Sequence, residues 1–162
     1  MKKVEPGPNQ ESVWDYPRPP KLESCDELIR VEFNNKEIVR STSAKRVLET
    51  SHPPVYYIPL QDIQMEYLHS IPGTTYCEWK GQAHYFDVIV DQKKAEKAAW
   101  SYPEPTQKFK PIAGHLAFYP HKIDACYVGD EKVDAQKGGF YGGWITSRIV
   151  GPFKGEAGTA GW

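Results

Sequence analysis

The feature that most constrains this chain is its punctuation. Short runs rich in β-branched and aromatic residues are set off by turn signals such as Asn34-Asn35, Pro53-Pro54, Pro72-Gly73 and Gly129-Asp130, so no apolar stripe of helical period runs far. Leu28–Phe33 sets the pattern: Ile29, Val31 and Phe33 share one face, Asn34-Asn35 makes a turn, and Glu37–Arg40 returns. The same reading predicts strands at Val55–Ile58, Thr74–Trp79, His84–Val90, Ala99–Tyr102, His115–Tyr119 and Trp144–Val150. It predicts a hairpin over Ala125–Val133 about Gly129-Asp130, whereas Lys93–Ala98 fits either a helical turn or a hairpin tip. Two short helices are predicted. Ala44–Glu49 follows the caps Ser41-Thr42-Ser43, turns Val47 and Leu48 inward and stops at Pro53-Pro54. Leu60–Leu68 carries Leu60, Ile63, Tyr67 and Leu68 on one stripe. Strands do not alternate with long helices, which excludes a doubly wound parallel sheet and leaves a mainly β, antiparallel sandwich or half-barrel.

A chain of 162 residues is sized for one domain with a core of its own. Residues 1–24 read as a proline-rich arm, with Pro6, Pro8, Pro17, Pro19 and Pro20, ahead of a single domain at 25–162 with a Gly-rich C-terminal tail. Trp14 and Tyr16 are too apolar for a solvated tail, so the arm is expected to pack on its domain or, by self-association, on a second copy. The net charge of −1 argues against nucleic acid and against an anionic membrane surface as partners. No apolar run is long enough to span a bilayer, and the N-terminal segment lacks the apolar stretch of a signal peptide. Cys25, Cys77 and Cys126 are odd in number and far apart, which favours reduced thiols and a cytoplasmic location over a disulfide framework. No CxxC, CxxH or HxxxH pair exists, so neither a structural metal nor a cofactor is expected.

The chemistry has to come from the aromatic residues, 13% of the chain. Strand parity puts Leu116 and Phe118 toward the core, with His115 and Tyr119 on the other face. It likewise puts Ile145 and Ile149 inward and Trp144, Thr146 and Arg148 outward, and it sets Cys77 and Trp79 opposite Tyr76, Glu78 and Lys80. Rings beside polar groups on a non-core face are the makings of a small-molecule pocket; the plainer reading is outer rings covered by the arm and the tail. The candidate ligand-binding residues are Arg46, Glu49, Tyr57 and Lys80 as polar contacts, with Trp100, Tyr102, Tyr119 and Trp144 as walls. Arg46 and Glu49 sit at i, i+3 on the expected helix, either as a surface pair or gripping a ligand with Tyr57. Cys77 and Lys80 raise a reactive thiol, but an offset of three in a strand separates them. Gly138–Gly143 is not a phosphate loop, because GxxxxGK[ST] is missing.

Several ordered motifs carry a family resemblance: Trp14-Asp15-Tyr16-Pro17-Arg18-Pro19-Pro20, Val47-Leu48-Glu49-Thr50, Tyr56-Tyr57-Ile58-Pro59, Thr75-Tyr76-Cys77-Glu78-Trp79-Lys80-Gly81, Ala99-Trp100-Ser101-Tyr102-Pro103 and Leu116-Ala117-Phe118-Tyr119. Together they resemble the domain of unknown function 427 family over nearly the whole chain. Many members read Cys-Pro-Tyr-Lys-Gly where this chain has Cys77-Glu78-Trp79-Lys80-Gly81. The resemblance implies a β-tent-like fold, in which two antiparallel sheets lean together. It also carries the label nucleotidyltransferase-like, which no paired carboxylates in this sequence support. Other tents bind small ligands in an aromatic cage, which agrees with the face analysis. The expected function is therefore a small-molecule-binding or enzyme-like domain with an aromatic pocket. The alternative is a protein-interaction module using the proline-rich arm and an aromatic surface.

Overall fold

In the computed structural model, which describes residues 2–162, regular structure is almost entirely extended. Among the described residues the chain forms fifteen strands. The first six are β1 (Glu11–Ser12), β2 (Lys21–Ser24), β3 (Ile29–Phe33), β4 (Lys36–Ser41), β5 (Lys45–Leu48) and β6 (Val55–Tyr57). The long central strands are β7 (Leu68–Cys77), β8 (Gly81–Val90) and β9 (Lys93–Ser101). The rest are β10 (Leu116–Phe118), β11 (Ala125–Val128), β12 (Glu131–Lys132), β13 (Asp134–Ala135), β14 (Trp144–Ile145) and β15 (Ile149–Val150).

Two antiparallel four-stranded sheets dominate, in the orders β10-β9-β8-β7 and β12-β11-β3-β4. A third sheet, β2-β5-β6, is stitched to the first where Ile58 and Leu116 exchange backbone hydrogen bonds of 2.8 and 2.9 Å. The sheets lean together over one large core. Ile29, Val31 and Phe33 of β3 and Cys126 and Val128 of β11 meet Val88 and Val90 of β8 and Leu116 and Phe118 of β10. The β3–β4 hairpin turns as the sequence requires, because Asn34 and Asn35 both adopt positive φ, 49° and 65°, the left-handed region that Asn tolerates best.

Neither expected helix forms. Ala44–Glu49 contains strand β5, whose backbone is hydrogen-bonded on both sides, to β2 and to β6. Successive residues Val47 and Leu48 are both buried because they enter different apolar clusters on opposite faces. A six-residue segment gains too few internal hydrogen bonds to outweigh that pairing. Leu60–Leu68 becomes two single 3-10 turns, Leu60–Asp62 and Met65–Tyr67, neither with a side-chain cap. Ile63 pairs with Val39 between them, and Leu60 stays exposed.

The arm lies against the sheets. Strand β1 runs parallel to β15, and Val13 and Tyr16 are buried with Leu48 and Ile149. Trp14 donates its indole N–H to the Pro152 carbonyl at 2.9 Å and meets Trp162 edge-on with ring centroids 5.0 Å apart. Val13→Ala removes two buried methyl groups from this contact. Urea unfolding should register a loss of about 2 kcal/mol from lost burial and the cavity left behind. A change under about 0.5 kcal/mol, the range of surface substitutions, would mean that the arm contributes nothing to the fold.

Candidate functional site

The sheet that supplies one wall of the core is apolar on its other side too. There β8 presents Ala83 and Tyr85, β9 presents Trp100, and Ala117 and Tyr119 come from and just beyond β10. Tyr57 of β6 and Val47 of β5 complete that face, and the 3-10 segment Gln107–Ile112 packs Phe109 and Ile112 beneath it. On this side Tyr57, Tyr85, Trp100, Tyr102 and Tyr119 line a cleft of about 390 Å³.

The rings are fixed by one another. Trp100 donates its indole N–H to the Tyr57 hydroxyl at 3.2 Å and lies edge-on to that ring, with centroids 6.2 Å apart. On its other flank Trp100 packs at 4.4 Å on Tyr119. Tyr102 stands 6.3 Å from Tyr57. Burial pushes the phenol pKa values of Tyr57, Tyr102 and Tyr119 well above the ordinary range, so all three stay protonated at neutral pH. The walls are thus uncharged rings that carry hydroxyl dipoles.

Two loops finish the cleft. The turn Glu78–Lys80 between β7 and β8 is held by Thr106, whose hydroxyl donates to the Trp79 carbonyl at 2.6 Å and whose N–H donates to the Lys80 carbonyl at 3.0 Å. This sets the Lys80 ammonium 5.8 Å from the Tyr102 ring centroid. On the other side Phe140, Tyr141 and Gly142 border the cleft, and Gly142 rests directly on Trp100. A Cβ there would lie 2.2 Å from Trp100 Cη2. Tyr76 and Phe140, each 76% exposed, stand at the border.

Six of the eight residues singled out in the sequence border this one cleft: Glu49, Tyr57, Lys80, Trp100, Tyr102 and Tyr119. Arg46 and Trp144 do not. They line a separate cleft of about 260 Å³. Arg46 lies on a strand, not a helix, and its guanidinium is taken by Glu23 at 2.6 Å and Glu11 at 2.8 Å rather than by Glu49. Burial works against its charge, but the two carboxylates outweigh burial and hold it protonated. Trp144 faces the opposite way from the strand-parity expectation. It is 1% exposed in the main core, and its indole N–H donates to the Phe118 carbonyl at 3.1 Å. The expected strand Trp144–Val150 breaks into β14 and β15 at a turn closed by Ile149 N–H to the Thr146 carbonyl, yet Ile145 and Ile149 still share one apolar cluster apart from Trp144, so what reverses is which side holds the main core. Cys77 and Lys80 both border the cleft, because the turn cancels their opposite parity.

Sequence reasoning passed over His52, Tyr85, Phe140 and Tyr141. The signal for the last two was an aromatic pair set among four glycines, which is more apolar than a solvated loop requires. For Tyr85 it was strand β8 itself, apolar at both parities.

A family model described as a domain of unknown function (DUF427) matches residues 21–129. This chain belongs to that family. A search among curated proteins finds no match. The matched stretch of the DUF427 protein supplies Tyr57, Trp100, Tyr102 and Tyr119, whereas the Phe140–Gly142 border lies beyond it. Among the described residues no group of three or more His, Cys, Asp or Glu side chains is placed to hold a metal ion, and no helix is long and apolar enough to cross a membrane.

Two outcomes follow from this geometry. Gly142→Ala forces Trp100 or the loop to move, so thermal stability should fall by about 1–3 kcal/mol, the usual cost of overpacking, with a change in tryptophan emission. Unchanged emission and stability would show that the loop does not rest on Trp100. The second concerns His52, whose Nδ1 lies 2.9 Å from the Thr50 carbonyl and whose ring lies 5.7 Å from Tyr141. Burial lowers its pKa from the ordinary 6.5, against the opposing pull of Thr50 and Glu49. A lowered histidine takes up its proton more readily when unfolded, so stability is full above about pH 6.5 and declines as pH falls below it. His115 and His121 shift the same way, whereas the depressed pKa of Glu11 acts only below its ordinary 4.5. His52→Gln should flatten the decline between about pH 6.5 and 5 in urea unfolding, and an unchanged slope would rule His52 out as a contributor.

Proposed function

We propose that this protein binds a flat small molecule in the aromatic cleft. The observation that carries the reading is the convergence of Tyr57, Trp100, Tyr102 and Tyr119 on one concave site whose border exposes two further rings, Tyr76 and Phe140. Exposed rings at the edge of a concave apolar site are costly to leave in water and gain by stacking on an occupant. Rings dominate the lining and polar side chains such as His52, Thr75 and Gln136 stand among them, the mixture of a small-molecule site. The Tyr57 hydroxyl accepts the Trp100 N–H and keeps its own proton to donate. Lys80, Glu49 and Glu78 offer charged contacts. The rival reading, a protein-interaction module built on the proline-rich arm, draws less support. Trp14 and Tyr16 already pack on the domain and on the C-terminal tail.

A thermal-shift screen of flat metabolites should find compounds that raise the melting temperature, because a ligand of the native state stabilises it by mass action. For such a compound, Tyr76→Ser and Phe140→Ser should each weaken binding about three- to ten-fold, the worth of one aromatic contact. The free protein's melting temperature should stay within about 2 °C, since both rings are on the surface. A hit whose affinity ignores both substitutions binds elsewhere and would defeat the proposal.

A further inference from the structure

The aromatic cleft has a side chamber. A smaller cavity of about 150 Å³ shares Thr75, Tyr85, Tyr119 and Phe140 with it and adds Lys97 and Lys122. Lys97 Nζ lies 4.6 Å from the Tyr85 ring centroid, and Lys122 Nζ lies 5.2 Å from that of Tyr119. Each ammonium therefore sits over a ring of the main cleft.

Backbone geometry sets Lys97 there. Ala95 and Ala99 both point into the core, so alternation would send residue 97 the same way. Between the pairs Phe86↔Ala99 and Val88↔Ala95, however, β8 has one residue and β9 has three. The resulting bulge gives Lys97 a φ of 48°, and the Asp87 carboxylate accepts its N–H at 2.9 Å. Bulges re-aim side chains in this manner, and a non-glycine residue in the left-handed region is costly. Here the side chain that is re-aimed is a cation, turned onto the cleft face.

The local carboxylates are occupied by other lysines. Lys93 takes Asp124 at 2.7 Å, and Lys94 takes Asp87 at 3.5 Å and Glu96 at 3.8 Å. Among the described residues no carboxylate lies within 4.0 Å of the Lys97 or Lys122 ammonium. Among the described residues Lys122 Nζ bonds only the Lys97 carbonyl, at 3.3 Å. Burial, then the charge of Lys97, lowers the Lys122 pKa, while Glu96 and Asp87 oppose this from farther off. The hydroxyls of Thr75 and Tyr85, 2.7 Å apart, stand where the chamber meets the cleft. Neither Glu49 nor Glu78 borders the chamber.

We propose that the chamber is an anion subsite, in which Lys97 and Lys122 receive the carboxylate or phosphate of a ligand whose flat body lies among the rings. This rests on the aromatic-cleft reading and narrows it to planar anions. Two ammonium groups without carboxylate partners, Lys97 exposed and Lys122 half-buried, each over a ring, gain charge-assisted hydrogen bonds when an anion enters.

The test is calorimetric titration of the full chain with naphthoate, with naphthyl phosphate and with uncharged methyl naphthoate. At least one anion should bind about ten-fold tighter than the ester, a preference that shrinks at high salt. In the Lys97→Met/Lys122→Met double variant the preference should vanish while ester affinity holds within about two-fold, since only the charge term is removed. Whichever anion is favoured distinguishes a carboxylate from a phosphate ligand. Ester binding with no preference for either anion, or a preference that survives in the double variant, overturns the subsite and leaves the cleft standing. Failure of all three probes to bind overturns both.

Discussion

The sheet β7–β10 is apolar on both sides, and the rest of the molecule is arranged by how those sides are covered. Along β8 the even positions Phe86, Val88 and Val90 face the core shared with β3, β4 and β11, while Ala83 and Tyr85 face the other way. A full second sheet seals the first side. The second side is covered piecemeal, by Tyr57, by the short helical segment holding Phe109 and Ile112, and by the loop at Gly142. Regular secondary structure packs its side chains at near-crystalline density, whereas loops with few side chains cannot. The cleft is the gap that this unequal covering leaves. It lies on a rigid sheet, which suits a site that must hold rings in fixed relation.

Period-two alternation was legible wherever one face of a strand is sealed and the other is wet. Ile29, Val31 and Phe33 are buried as counted, between the half-buried Arg30 and Glu32. The same argument fails where that condition fails. In β5, adjacent Val47 and Leu48 are both buried, which in a sequence looks like a helical stripe; only the pairing with β2 and β6, remote in sequence, makes it a strand. Parity set Trp144 opposite Ile145 and Ile149 correctly, but it could not tell which side holds the main core, because both sides are apolar. A bulge defeats the count itself: Lys97 escapes any count from its neighbours. Most of the cleft was nonetheless readable, since Tyr57 and Trp100 lie on β6 and β9 and Tyr102 and Tyr119 lie just past the ends of β9 and β10. The border at Phe140 and Tyr141 was not, because a glycine-rich loop carries no periodicity from which a face can be assigned.

Arg46 shows how far chemistry read from residue type depends on context. Five donors in a rigid fork made it a reasonable anchor for a ligand. In the fold the fork is used within the chain, gripping Glu11 of the arm and Glu23 of β2 at once. A guanidinium with only 14% of its side chain exposed loses much of its hydration, and two carboxylates are needed to offset that loss. The arrangement ties the arm's register to the sheet, so it acts on architecture. Lys80, Lys97 and Lys122, which lie over rings of the cleft, have no such carboxylate partner among the described residues.

That separation has an electrostatic consequence. With Tyr57, Tyr102 and Tyr119 all held neutral by burial, the rings bring no fixed charge, and the charge at the cleft comes from Glu49, Glu78 and the lysines around it. Poorly solvated rings screen weakly, so the fields of Lys80, Lys97 and Lys122 reach farther into the cleft than they would across open water. The electron-rich ring faces beneath these ammonium groups offset part of the cost of leaving them unpaired. Rings and lysines therefore support one another before any occupant arrives: each cation is steadied by a π-face, and each face is held over the cleft by hydrogen bonds and packing among the rings. An occupant that is flat and apolar uses only half of this arrangement. One that also carries an anionic group at its edge satisfies the lysines as well as the rings.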